Sequence, residues 1–64
     1  MVSYQTMVAI AYEVAKAKGA TFSGIDDGAD FISQLSTVWQ QNKAELKQAT
    51  QQQTADILSE IIRP

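Results

Sequence analysis

The stretch WQQNKAELKQATQQQTADIL, residues 39–58, carries six glutamines and, between Trp39 and Ile57, a single large apolar side chain, Leu46. In a chain of 64 residues the material for a core is scarce, so a polar run of this length needs a structural reason. A domain this small buries only ~60% of the surface its unfolded chain exposes. Disulfides, a structural metal or self-association are the usual remedies. Cysteine and histidine are both absent, which removes disulfides and every thiolate or imidazole metal site. Good helix packing or an oligomer interface remains.

Reading N-terminally from the polar stretch, Phe31, Ile32, Leu35, Val38 and Trp39 cover an arc of ~120° on a regular helix, a normal amphipathic face. Beyond Trp39 the same face continues as Asn42, Leu46, Ala49 and Gln53. The register fails at Asp56 and Glu60, and apolar residues return as Ile57, Leu58, Ile61 and Ile62, rotated by roughly a quarter turn. Two architectures account for the slip. In one, the chain bends between Thr50 and Thr54 and a short third helix folds back, with Thr54 as its N-cap and Asp56 in its first turn. In the other, one helix of about thirty-five residues, ~50 Å long, overhangs its neighbour, and its apolar end packs on another chain. The lack of Gly or Pro between Gly28 and Pro64 supports the second. The threonine pair, the slip and the thin apolar stripe support the first, and the balance favours three helices.

The three glycines all fall between Gly19 and Gly28, and the flanking segments are rich in helix-favouring Ala, Gln, Glu, Lys and Leu. No alternating β-branched and aromatic run suggests a strand. A first helix is expected over about 3–18, with Ser3 as N-cap, Tyr4, Met7, Val8, Ala11, Val14 and Ala15 on one face, and Gly19 as the left-handed stop. The loop, about 19–27, carries Phe22 and Ile25 as expected plugs at the end of a helix pair. Asp26 or Asp27 is expected to cap the second helix, over about 28–50, and Asp30 to place charge in its first turn. A third helix is expected over about 55–62. The fold class is all-α: a small three-helix bundle, or a helical hairpin with a long second helix, in one domain over residues 1–64.

This composition narrows function by exclusion. Without His or Cys, general-base and nucleophile roles fall to carboxylates, Lys, Ser, Thr or Tyr, and no catalytic arrangement of these is visible. Asp26, Asp27 and Asp30 lack the alternating oxygen ligands and terminal Glu of a calcium loop, with Thr37 where that Glu would stand, so they read as capping residues. Gly19, Gly24 and Gly28 do not match a phosphate-binding loop, and read as turn formers. No metal, cofactor or catalytic residue is therefore assigned. The N-terminal stretch MVSYQTMVAIAYEVAKAK lacks the early positive charge of a secretory signal and carries Glu13 in its apolar run, so a cytoplasmic protein with no membrane role is expected.

Association is the class that remains, with the chain itself or with another protein, in an accessory or regulatory role. Burial of an apolar helix face in a partner groove would drive it, with Trp39, Leu46, Ile57, Leu58, Ile61 and Ile62 as the binding residues. Trp39, Phe31 and Leu35 would form a hot spot if the indole were exposed. The alternative is a small helix-turn-helix-like DNA-binding regulator reading bases and phosphates with Gln40, Lys43, Lys47 and Gln51. A net charge of −2 and the lack of clustered basic residues disfavour nucleic acid.

Overall fold

The computed structural model describes the backbone of residues 2–21 and 25–62, and the side chains of residues 2–21 and 28–62. Three helices follow one another: α1 (Tyr4–Ala17), α2 (Ile25–Gln48) and α3 (Gln51–Ile61), with no strand among the described residues. The all-α class is as read from the sequence, in its three-helix form.

Both ends of α1 are closed by local chemistry. At the start, the Ser3 hydroxyl accepts the Thr6 N–H at 3.1 Å, the N-cap role expected of it. At the end, Gly19 takes φ +90°. That left-handed residue turns the chain so that the Gly19 N–H reaches the Lys16 carbonyl at 3.0 Å and the Ala20 N–H reaches the Ala15 carbonyl at 2.9 Å. These two bonds make a Schellman motif, in which terminal carbonyls find donors only because glycine tolerates positive φ.

The second helix opens at Ile25, a few residues earlier than the expected Asp27 to Ala29. Asp26 and Asp27 thus stand in its first turn rather than at the cap, where the helix dipole favours acidic residues. Their side chains, and those of the expected plugs Phe22 and Ile25, lie outside the described residues. Asn42 departs from helical geometry (φ −118°, ψ 16°) and kinks α2, while its carboxamide donates to the Val38 carbonyl at 3.0 Å.

The third helix begins four residues before its expected start. Thr50, not Thr54, is its N-cap: the Thr50 hydroxyl accepts the Gln53 N–H at 3.1 Å and the Gln53 carboxamide accepts the Thr50 N–H at 2.9 Å. This reciprocal pair is a capping box, written in the sequence as Thr-Gln-Gln-Gln. Thr54 is instead a fully buried helical residue whose hydroxyl donates to the Thr50 carbonyl at 2.8 Å. Burial without a polar penalty is possible because that hydroxyl is satisfied within its own helix.

Packing is antiparallel between α1 and α2. Tyr4 meets Trp39 edge to face at 5.6 Å between ring centres, and Tyr12 meets Phe31 in the same way at 5.0 Å. Each helix advances two turns between the pairs, in opposite chain directions. Along α3 the first helix makes its closer approach. Small buried residues explain this: Ala11 and Ala15 on α1 and Thr54 on α3 leave room for the backbones to come together. The Lys18 ammonium then donates to the carbonyls of Ser59 and Ile62, the latter at 2.8 Å, so the C-terminal ends of α1 and α3 lie side by side. A lysine at two helix C-termini meets partial negative charge from both.

The core gathers Met7, Ala11, Ala15, Phe31, Leu35, Val38, Leu46, Leu58 and Ile62. Ile32 is the exception to the expected apolar face. Its side chain is 39% exposed, because the true core direction of α2 passes through Phe31, Leu35 and Val38, and Ile32 stands on the shoulder of that arc. The longest dimension of the molecule is 32 Å, whereas a single straight helix over residues 25–61 would need ~55 Å. The polar stretch of residues 39–58 thus spans the last turns of α2, a two-residue elbow at Ala49 and Thr50, and most of α3.

Candidate functional site

Local chemistry at the elbow builds a surface groove. Ala49 is buried, and its N–H bonds the Leu46 carbonyl at 3.2 Å, tightening the last turn of α2. The chain then reverses at Thr50, which is extended (φ −73°, ψ 170°). Between the arms lies an open groove of about 410 Å³ lined by Glu45, Gln48, Ala49, Gln53, Asp56 and Ile57. The floor is apolar, from Ala49 and the half-buried Ile57, and the rim is polar. Gln53 is held by the capping box and Asp56 accepts from Gln52 at 3.2 Å, so two rim side chains are positioned by hydrogen bonds. Glu45 and Asp56 share the groove, and no cationic side chain among the described residues is seen to neutralise either one.

The association residues read from the sequence divide into two groups. Leu46 and Leu58 are fully buried and Ile62 is 3% exposed, all inside the core of the chain itself. They present no surface to a partner unless the bundle opens. Trp39, Ile57 and Ile61 are half-buried, packed against that core with one side outward. Phe31 and Leu35, the proposed companions of Trp39, are buried. What the sequence reading missed is Ile32, which shares a shoulder of α2 with Trp39, seven residues on. The signal was present, since both lie about a quarter turn from the middle of the Phe31, Leu35, Val38 arc.

The alternative nucleic-acid residues are all exposed, but they do not form one stripe. Gln40, Lys43 and Lys47 ride on α2, on either side of the kink at Asn42, whereas Gln51 is the first residue of α3, beyond the elbow. The exposed residues following Gln51 on α3 are Gln52, Gln53, Asp56, Ser59 and Glu60. Two carboxylates on that surface oppose a phosphate backbone. Among the described residues no group of three or more acidic side chains is gathered as a metal site would require. No described helix is long and apolar enough to cross a membrane.

No family model, curated protein or solved structure matches this chain. Its functional reading therefore rests on its own surface.

Proposed function

We propose that this chain is a non-enzymatic helical association module of the cytoplasm, binding a second copy of itself or another protein in an accessory or regulatory role. The observation that carries the reading is the distribution of its large apolar side chains. The bundle closes over a thin core and leaves Ile32 exposed and Trp39, Ile57 and Ile61 only half covered. Small domains without disulfides commonly complete their burial through a partner. Trp39, held edge-on by Tyr4, is a rigid aromatic of the kind that anchors interfaces.

Light scattering and Trp39 quenching over a wide concentration range test the reading. Association is expected to raise the mass and shield the indole together. Placing a charge on the outer shoulder with Ile32→Glu is expected to leave the monomer folded, because that side chain stands outside the core. Any contact made through that shoulder weakens at least tenfold, as a buried unpaired carboxylate demands. A mass that stays monomeric at every concentration, with no change in quenching, removes self-association from the reading.

A further inference from the structure

The elbow between α2 and α3 lacks the left-handed stop that ends α1. Helices normally end on a residue that cannot continue them, as α1 does at Gly19 with φ +90°. Neither Ala49 nor Thr50 takes positive φ, and neither is Gly or Pro. The bend rests on the capping box of Thr50 and Gln53 and on the docking of Thr54, Leu58 and Ile62. In the bent form, the first N–H groups of α3, those of Gln51 and Gln52, have no carbonyl one turn back to bond. In a straight helix they would bond the carbonyls of Lys47 and Gln48. Straightening would also separate Glu45 and Asp56, the two carboxylates that share the elbow groove.

A straightened chain cannot keep its own α3. Thr54, Leu58 and Ile62, buried in the bent form, would stand uncovered at the end of the continuous helix. From the elbow without a backbone stop and the burial that α3 would lose, we infer that the chain forms a dimer by exchanging α3: residues 25–61 become one helix, and its last third docks on α1 of a second copy. The occupant is fixed by what already fills the site. α1 already packs on α3 of this sequence, with Ala11, Ala15, Leu58 and Ile62 in one core cluster and the Lys18 ammonium on the Ile62 carbonyl, and an identical α3 from a second copy would make the same contacts. The glutamine-rich segment around the elbow suits both forms, since uncharged carboxamides tolerate water and helix alike and place no block of like charge where two elbows would run side by side. This inference rests on the association reading above and names its partner.

Two substitutions push the equilibrium in opposite directions. Thr50→Ala deletes the cap and leaves a better helix former, penalising only the bent form. One such cap is worth about a factor of five in equilibrium, and a dimer dispenses with two, so dimerisation should strengthen about 25-fold or more. Gln51→Pro acts the other way. Proline fits the first position of a helix, and the extended Thr50 before it has the backbone that a residue preceding proline adopts. In a continuous helix the same proline would lose a hydrogen bond and clash with the turn before it. Sedimentation equilibrium of wild type, Thr50→Ala, Gln51→Pro and Ile32→Glu is the experiment, with helix content followed by circular dichroism. Expected are a dimer strengthened by Thr50→Ala, abolished by Gln51→Pro in a chain that stays helical, and indifferent to Ile32→Glu. In dimers mixed from labelled and unlabelled chains, magnetisation transfer should link Ala11 or Ala15 of one chain to Leu58 of the other. A dimer that survives Gln51→Pro and is lost with Ile32→Glu overturns exchange while keeping association through the outer shoulder. Wild type and Thr50→Ala that are both monomeric at every concentration also overturn it, whatever other protein the chain binds.

Discussion

The chain turns twice, and the two turns are built on different principles. After α1, the helix is stopped by a left-handed residue: Gly19 adopts φ +90°, and the Ala20 N–H closes on the Ala15 carbonyl. After α2, the reversal is conditional. Ala49 and Thr50 use conformations open to any residue, and the bend exists while the capping box and the packing of α3 hold it. One turn is written in the backbone and the other in the balance between local and tertiary contacts. α3 is thus the element held by a cap and by packing rather than by a left-handed residue.

That contrast can be broken at several points. The largest effect should follow Leu58→Ala, which empties a fully buried site. Its cost is about 2–5 kcal/mol in thermal or chemical denaturation. Because an exchanged dimer would bury Leu58 in the same way, the dimerisation constant should hardly move; a large change would mean that the α3 contacts of the dimer differ from those of the monomer. Next comes Gly19→Ala. An added Cβ meets nothing within 4 Å, so the cost is backbone strain alone, about 1–2 kcal/mol. Denaturation should register it and the monomer–dimer equilibrium should not, in contrast to Thr50→Ala. The smallest effect expected is that of Lys18→Met, which keeps the aliphatic stem and removes the donor to Ser59 and Ile62. Partial exposure of Lys18 limits the loss to about 1 kcal/mol, below the range for fully buried charged hydrogen bonds. Hydrogen exchange should localise that loss to the C-terminal turn of α3, sparing the α1–α2 pair.

Where the sequence was legible, the controlling interactions were local. Ser3 and Gly19 act where their chemistry pointed, because a cap and a left-handed stop involve only residues within a turn of each other. The cap of α3 was equally local, yet its position was misread by four residues. Thr54 followed by Asp56 imitates a helix start, and so does Thr50 followed three residues later by Gln53. The two patterns differ, since Thr50 with Gln53 completes a capping box while Thr54 offers only an acidic first turn, and Thr54 is buried with its hydroxyl already bonded to the Thr50 carbonyl, so it is not available to cap. Burial divides the association residues for a related reason. Leu46, Leu58 and Ile62 are large aliphatic side chains like Ile32, and whether each lies inside or outside depends on the kink at Asn42 and the angle of the elbow.

The order of residues alone determined that this chain is helical and that its first helix runs between Ser3 and Gly19. Propensity and capping are properties a segment carries wherever it goes. Only the tertiary structure decided that residues 25–61 bend at Ala49 and Thr50 rather than run straight. Locally the capping box satisfies the Thr50 and Gln53 N–H groups, which a straight helix would also bond, so the forms differ by the N–H groups of Gln51 and Gln52, too small a difference for local rules to settle. Burial of Thr54, Leu58 and Ile62 beside Ala11 and Ala15 breaks that tie, because hydrophobic contact acts between surfaces far apart in the chain and appears only once the helices meet.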